Sequence, residues 1–303
     1  MRTLDLRQNF LKNRRTARKL VHLSGATAAA LTVDFGAGKG FIADEILDMV
    51  GGPVLVVEKD PRLVQFLTEK YRDRPQVQVC AGDIRDVPLP TEPFVIAANI
   101  PFNVSTHLVR RWMSLPNFRQ GALLIEREFG LRLAGHFGLT KLSASLGAAF
   151  NITVPMRVDP AQFHPRPRAN IAIMQVTRRE VPLVSLGEIE RYWAFVNYLF
   201  ERGQFRIGES LAPLRLGLPA QIAATTIAEA GLPLAVDLFQ RSLAAPHRRA
   251  WDLIVEFNCG LAQHRRPLSP RGDLPLPPRP PTLRPAAAPR TRRDPGKPRF
   301  TSC

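Results

Sequence analysis

The stretch LTVDFGAGKGFIADEILDMV, residues 31–50, decides the fold class. An apolar strand from Leu31 to Asp34 runs into a turn with three glycines, and Phe41 to Val50 then places apolar residues at helical spacing. Similar units follow, with strands predicted over 53–58, 77–80 and 94–98 and a helix that begins at Pro61. Continuous apolar strands that alternate with helices predict an α/β fold, in which a parallel sheet is covered by helices on both faces.

The composition excludes several classes of protein. The chain has 303 residues, of which 45% are hydrophobic, so it can bury a large core. No stretch approaches ~20 consecutive apolar residues, and the first fifteen residues have no apolar signal-peptide core, so we expect no membrane span. Three scattered cysteines, Cys80, Cys259 and Cys303, do not suit a disulfide framework or a zinc site. We therefore expect a reducing cytoplasm and no metal.

The charge of the chain indicates its class of partner. A formal net charge of +16 predicts a polyanion, either a nucleic acid or an anionic membrane surface. Half of the excess lies in residues 263–303, which hold ten Lys or Arg, two Asp and eleven prolines. Such a segment buries too little apolar surface to offset its ordering entropy, so we expect a disordered basic tail. The tail either adds sequence-independent affinity for RNA or is a dispensable extension.

The chain divides into three predicted parts. Residues 1–180 form the α/β domain, 181–262 a small helical domain, and 263–303 the tail. The later elements of the α/β domain are helices over 106–113 and 142–150 and strands over 122–125, 154–158 and 171–176, with an irregular proline-containing loop over 162–168. In the helical domain we expect helices over 188–201, 218–230 and, with breaks, 233–257.

The glycine turn after the first strand, Asp34 to Gly40, indicates the class of ligand. Glycines there let the backbone approach a ligand closely. The dinucleotide pattern G-x-G-x-x-G needs a small residue where Phe41 stands, and a P-loop needs Ser or Thr where Gly40 follows Lys39. The turn therefore suits S-adenosylmethionine (SAM), which has no phosphate. The alternative is a purely structural glycine turn.

Carboxylates follow the next two strands. Glu58 ends the second strand, where it can accept hydrogen bonds from ribose hydroxyls, and Asp83 follows the third, where it can accept from an adenine amine. Each has a simpler explanation, a solvated strand-end carboxylate for Glu58 and an Asx-turn for Asp83. Their repeated position at the carboxyl ends of successive strands favours a ligand site, because open α/β sheets bind ligands at that edge.

The fourth strand ends in Asn99-Ile100-Pro101-Phe102, which fits the N-P-P-Y type of motif in adenine amino methyltransferases. An exocyclic amine is a poor nucleophile because its lone pair is delocalised into the ring. The Asn99 oxygen and a carbonyl such as that of Ile100 can accept both N–H bonds and direct the lone pair at a methyl carbon. Phe102 offers a face on which a flipped base stacks. The alternative is an Asn-Pro turn after a strand.

With these motifs the chain resembles the ribosomal RNA adenine N6-methyltransferases, which include the Erm proteins and the KsgA dimethyltransferases. The resemblance runs from residue 8 to about 180. It implies a Rossmann-like SAM-dependent methyltransferase fold with a mostly parallel sheet and a small C-terminal helical RNA-binding domain. The motifs that carry it are Gln8-Asn9-Phe10-Leu11, Glu126-Arg127-Glu128-Phe129 and the loop from Phe163 to Arg168. Two departures, Asp34 where the family usually has Glu and Phe102 where it often has Tyr, leave methyl transfer intact.

The resemblance also implies roles for single residues. Catalytic roles fall on Asn99, Ile100 and Phe102, and Phe163 is placed against the other face of the target base. The residues expected to bind SAM are Asn9, Leu11, Gly36, Gly38, Glu58 (ribose), Asp83 and Ile84 (adenine) and Asn99.

Basic residues near these motifs are the candidates for RNA contact. They are Arg14, Arg15, Arg18, Arg110, Arg111, Arg166 and Arg168. For the cluster at 14–18, a solvated helix face is the alternative.

These observations lead to a functional expectation. We expect SAM-dependent N6-methylation of an adenine in large-subunit ribosomal RNA before full assembly, by a monomer, with resistance to macrolide, lincosamide and streptogramin B antibiotics as the result. The alternatives are a small-subunit adenine dimethyltransferase and a non-catalytic RNA-binding or transcription factor on the same fold. The sequence leaves open whether one or two methyl groups are added.

Overall fold

A seven-stranded sheet forms the centre of the α/β part. The computed structural model describes residues 9–101, 111, 116–201, 206–244 and 247–264. In space the sheet has the order β4-β3-β2-β5-β6-β9-β7, and β1 pairs with β8 in a separate two-stranded ribbon. The strands are β1 (Phe10–Leu11), β2 (Leu31–Phe35), β3 (Val54–Glu58), β4 (Val77–Ala81), β5 (Phe94–Asn99), β6 (Phe118–Glu126), β7 (Phe150–Val158), β8 (Phe163–His164) and β9 (Ile171–Arg178).

The direction of the strands confirms the predicted sheet. Strands β2 to β6 pair in parallel, whereas β9 runs antiparallel to both β6 and β7. The carboxyl ends of β2, β3, β4 and β5 therefore lie at one edge of the sheet. The strand order reverses at the crossover between β2 and β5, which are neighbours in the middle of this edge. That crossover is the position at which open α/β sheets bind ligands.

Helices cover the sheet and then continue beyond it. Asn13 caps the first helix by accepting from Thr16 N, and Asp60 caps the third, which has Pro61 at its first position. The helices are α1 (Arg14–Ser24), α2 (Phe41–Val50), α3 (Pro61–Lys70), α4 (Arg127–Leu133), α5 (Lys141–Gly147), α6 (Ile189–Glu201), α7 (Ile207–Leu211), α8 (Ala220–Ala224), α9 (Gly231–Ser242) and α10 (His247–His264).

Two apolar cores lie on the two faces of the sheet. Every residue of β2 and β3 is buried, as the continuous apolar runs predict for strands covered on both sides. Alternate side chains enter different cores: Val33 and Leu55 pack on one face, and Val54 and Val56 on the other. The sheet edge is thus held by a rigid double-sided core.

The helices after β9 build a third core. Aromatic side chains dominate it, with Phe195 against Trp251 and Tyr192 against Phe239 at ring-centroid distances of 5.6 Å and 5.2 Å. The hydroxyl of Tyr192 donates to the carbonyl of Ala144 on α5, 3.0 Å away. The helical part is therefore fastened to the sheet through α5.

Some predicted elements differ from the structure. The helix predicted over 142–150 ends at Gly147, and Phe150 already begins β7. The continuous helix predicted over 218–230 is broken, because Thr225 takes an extended conformation and its carbonyl accepts from Ile207 N. The loop over 162–168 holds the short strand β8 before its prolines. The helix predicted over 106–113 lies outside the described residues except for Arg111.

The described residues contain neither a candidate membrane-spanning helix nor a candidate metal cluster. Among the described helices, none combines the length and apolar character needed to span a bilayer. Within the same part of the chain, no group of three or more His, Cys, Asp or Glu side chains is arranged to hold a metal ion.

Candidate functional site

The glycine turn after β2 lies against the end of β5. Gly36 and Gly38 have φ angles of 74° and 59°, a left-handed conformation that favours glycine. A Cβ atom on Gly36 would lie 3.8 Å from the carbonyl oxygen of Asn99, and one on Gly38 would clash with the Phe10 ring at 2.8 Å. The turn is also fixed to the neighbouring strand, since Gly36 N and Ala37 N donate to one carbonyl of β3. The predicted cofactor turn and the main chain of the predicted catalytic residue, Asn99, are therefore side by side.

Glu58 is anchored by main-chain donors at the end of β3. Its Oε2 accepts from Gly38 N at 2.9 Å, and its Oε1 accepts from Lys59 N and Asp60 N at 2.8 and 3.0 Å. The residue is 2% exposed. Since each carboxylate oxygen has two lone pairs, Oε2 can accept one further hydrogen bond. The carboxylate thus forms a rigid acceptor that also holds the glycine turn.

Asp83 follows β4 and pairs with Arg85 two residues later. Arg85 donates from its Nε to Oδ1 at 2.9 Å and from its Nη2 to Oδ2 at 2.7 Å, and its main-chain N–H donates to Oδ1 as well. These bonds lower the pKa of Asp83 to about 2. Ile84 turns its side chain into the core at 7% exposure. Asp83 is therefore a fixed anion with one further acceptor position on Oδ2. It lies at the rim, which is the edge of the sheet where the parallel strands end.

Asn99 is held by the N-terminal segment of the chain. Its Nδ2 donates to the carbonyl of Asn9 at 2.7 Å, across 90 positions of sequence. This bond leaves Oδ1 as the acceptor of the side chain. Leu11, two residues after Asn9, is buried, and Ile100 packs into the core at 1% exposure. Phe102, the predicted stacking ring, lies outside the described residues.

Asp34 is the feature of the site that sequence reasoning assigned no role. The residue is 1% exposed, and neither carboxylate oxygen has a hydrogen-bond partner in the described structure. Burial, followed by the nearby charge of Glu58, raises the pKa of Asp34 to about 8. The signal was present in the sequence, since an acidic residue is out of place at the end of an apolar strand.

Phe163 does not lie where the sequence predicts. Its ring is 2% exposed in the core that it shares with Leu11, and the two residues face each other in the β1–β8 ribbon. As described, Phe163 has no free face for a target base, so that prediction is wrong for this conformation. The ring instead fixes the N-terminal segment that carries Asn9.

The predicted RNA-contacting arginines fall into three groups. Arg15, Arg166 and Arg168 are exposed. Arg14 and Arg18 both pair with the buried carboxylate of Glu45 on α2, with Arg18 Nε 2.9 Å from Glu45 Oε2.

The third group is the adjacent pair after the Asn99 motif. Arg110 lies outside the described residues. Arg111 donates from its partly buried guanidinium to main-chain carbonyls of the loop after β4, which favours a structural role over a phosphate contact.

Comparisons with known proteins agree with the class that the fold and the site define, a Rossmann-like methyltransferase. The family model described as "Ribosomal RNA adenine dimethylase" matches residues 3–230. The chain therefore belongs to the ribosomal RNA adenine dimethylase family, and it is a SAM-dependent ribosomal RNA adenine N6-methyltransferase.

Similar proteins carry two kinds of name. "Ribosomal RNA small subunit methyltransferase A" of Geobacter sulfurreducens is 28% identical over 238 residues, which cover 75% of this chain and 86% of that protein. "rRNA adenine N-6-methyltransferase" of Saccharopolyspora erythraea is 28% identical over 194 residues, which cover 64% of this chain and 51% of that protein. Among solved structures, the 23S rRNA methyltransferase ErmE has a TM-score of 0.67 at 24% identity over 77% of this chain and 99% of that one.

Proposed function

We propose that this enzyme methylates N6 of a specific adenine in 23S ribosomal RNA and thereby confers resistance to macrolide, lincosamide and streptogramin B antibiotics. One observation carries the chemistry: the main chain of Asn99 lies beside the glycine turn, and the side-chain amide has its nitrogen bound to Asn9 and its oxygen left to accept. An acceptor fixed at that rim suits the amine of an extruded purine.

The residues at the rim fit SAM. Gly36 and Gly38 hold the turn in a left-handed conformation that favours glycine, and two carboxylates, Glu58 and Asp83, each keep an acceptor position. We assign the ribose hydroxyls to Glu58 and the adenine ring to Asp83 and Ile84, with Asn9, Leu11 and Asn99 around the cofactor, as the family resemblance implies. When bound, SAM supplies a methyl group activated by its sulfonium charge.

Asn99 performs the central step on the substrate side. Its Oδ1 accepts one N–H bond of the target amine, and the carbonyl of Ile100 accepts the other. This arrangement favours a pyramidal nitrogen whose lone pair is free for attack. The bond from Nδ2 to Asn9 O prevents the amide from rotating, so the acceptor is already oriented before the base arrives. Phe102 stacks on the base.

The assignment to the large subunit rests on sequence features. Asn-Ile-Pro-Phe at 99–102 resembles the Erm motif more than the Asn-Leu-Pro-Tyr usual in KsgA, and the Pro/Arg-rich tail resembles that of some Erm proteins. Methyl groups on the adenine amine remove a hydrogen-bond donor and fill the surface that the drugs contact. The exposed arginines, the helical part over 181–262 and the tail supply contacts to RNA before full assembly. We propose a cytoplasmic monomer.

A small-subunit adenine dimethyltransferase is the second candidate. The relative from Geobacter sulfurreducens carries a small-subunit name and is covered over 86% of its length, whereas the Saccharopolyspora erythraea relative is covered over 51%. The two candidates share the chemistry at Asn99 and differ only in the RNA that reaches it.

Mapping the methylated nucleotide separates these candidates. Cells would express the wild type or Asn99→Ala, and both ribosomal RNAs would be examined by primer extension and mass spectrometry. We expect a modified adenine in 23S RNA and raised macrolide tolerance with the wild type only. Modification confined to small-subunit RNA would replace the proposed target by the second candidate. Asn99→Ala should lose at least about 100-fold in rate and still bind SAM in calorimetry, because Asn99 acts mainly in the transition state.

A further inference from the structure

Arg111 fastens the loop that carries Asp83. Its Nη1 donates to the carbonyl of Ile84 at 3.0 Å, and its Nη2 donates to the carbonyl of Val87. The two carbonyls belong to residues 24 and 27 positions away in sequence. The guanidinium is partly buried, and this burial lowers the pKa of Arg111. Burying part of a guanidinium costs free energy unless its N–H donors are hydrogen-bonded. The bonds to the two carbonyls offset part of this cost and fix the position of the side chain.

The loop over 83–87 is a compact turn that this contact completes. Asp86 N and Val87 N both donate to the carbonyl of Asp83 at 2.9 Å, which closes the turn from inside. The side chains of Ile84 and Val87 are 7% and 5% exposed, so they fix the inner side of the loop in the core. Arg111 binds the carbonyls of Ile84 and Val87. Between them, these contacts set the direction in which Asp83 points.

We propose that Arg111 is a positioning residue for the cofactor, which holds the loop over 83–87 so that Asp83 and Ile84 remain where the adenine ring of SAM binds. This inference rests on the proposed function, because that function places the adenine at Asp83 and Ile84. It also replaces the RNA contact that the sequence predicts for Arg111. Of the five N–H donors of the guanidinium, two are already bound to these carbonyls, which favours a role in holding the loop over a role in binding phosphate.

The position of Arg111 in the chain gives the contact a second consequence. Arg111 lies twelve positions after Asn99 in the sequence. One side chain therefore links the segment that follows the target-base motif to the loop that binds the cofactor. Cofactor affinity should respond to changes at Arg111 because its guanidinium holds main-chain carbonyls of that loop.

Substitution of Arg111 tests the proposal. Arg111→Met keeps the apolar stem and removes both donors, Arg111→Lys keeps one charged donor, and Arg62→Met on α3 is an exposed control. Calorimetry without RNA should show SAM binding weakened about tenfold in Arg111→Met and less in Arg111→Lys. Methionine loses both charge-assisted hydrogen bonds to the loop, whereas lysine can keep one. The KM for SAM should rise while kcat at saturating SAM stays within about twofold. Arg62→Met should match the wild type.

RNA binding supplies the opposite outcome. With Arg111→Met, RNA affinity and its salt dependence should equal those of the wild type. Unchanged SAM affinity together with weaker RNA binding and a shallower salt slope would overturn the proposal and restore a phosphate contact, since each phosphate contact adds about 0.9 to that slope.

A readout that needs no activity separates this inference from the proposed function. The amide hydrogens of Asp86 and Val87 should exchange faster in Arg111→Met, because the loop loses its outer support. Unchanged exchange would overturn the inference even in an active enzyme. If the wild type neither bound SAM nor modified RNA, the proposed function would fail, and faster exchange would still support the role of Arg111 in holding the loop. If Arg111→Met does not fold, Arg111→Lys carries the same comparisons.

Discussion

Asp34→Asn should remove the pH dependence of stability that the buried carboxyl imposes. Burial raises the pKa of Asp34 from 3.8 to about 8, and neither oxygen has a partner in the described structure. In the unfolded chain the carboxyl loses its proton near pH 4, whereas the folded protein holds it until about pH 8. Between these values the folded state binds more protons, so this residue makes the wild type less stable as the pH rises.

The size of the effect follows from the shift. One pKa unit corresponds to about 1.36 kcal/mol, so a shift of about four units makes the free energy of unfolding fall by roughly 5 kcal/mol at most between pH 4 and pH 8. Asparagine has nearly the same shape and does not titrate. The stability of Asp34→Asn relative to the wild type should therefore increase by about 1.4 kcal/mol per pH unit within this window. Below pH 4 and above pH 8 the difference should stay constant.

Denaturant unfolding of the cofactor-free protein measures this difference. Urea titrations at pH 5, 6, 7 and 8 would compare the wild type, Asp34→Asn and Asp73→Asn, whose carboxylate is exposed. Titrating groups that do not interact with Asp34 affect all three proteins equally, so they cancel in the comparison. The curves of Asp73→Asn and the wild type should run parallel. If Asp34→Asn also ran parallel to them, Asp34 would not be a protonated carboxyl in the folded state.

Three further changes test other parts of the site. Gly38→Ala places a Cβ 2.8 Å from the Phe10 ring at a φ of 59°, so calorimetry should show SAM affinity reduced about tenfold or more; wild-type affinity would mean that the turn adapts. Phe102→Ala should lower kcat more than RNA affinity in steady-state assays, because phosphate contacts dominate binding, and a full rate would exclude stacking on the base. Removal of 263–303 should weaken RNA binding in filter assays at low salt and leave the modified nucleotide unchanged; altered site choice in primer extension would contradict this.

The arrangement of the rim illustrates how far a sequence pattern can lead. Short, largely apolar runs predict the parallel strands β2, β3 and β5, and parallel strands that are neighbours in a sheet end at a common edge. Gly36, which follows β2, and Glu58 and Asn99, which end β3 and β5, are therefore predicted to be neighbours from the sequence alone. The structure places the turn at Gly36 directly against the carbonyl of Asn99.

Contacts between distant segments were beyond such reasoning. The bond from Asn99 to Asn9 joins residues 90 positions apart, and that from Arg111 to Val87 joins a helix position to a loop. No periodicity records which donor meets which acceptor across such distances. The motif that contains Phe163 identifies the loop but does not predict the direction of the Phe163 ring. The ring packs inward because β8 pairs with β1.

The sequence by itself determined the α/β class, the glycine turn and the polar residues at the strand ends, because these depend on local spacing and on the common direction of parallel strands. Only the tertiary structure decided which side chains are buried and which donors they meet. Burial isolates Asp34 from water, Arg85 holds Asp83 as an anion, and Arg111 is committed to main chain. Solvation and long-range hydrogen bonding depend on surroundings that the folded chain creates, so they are properties of the packed molecule.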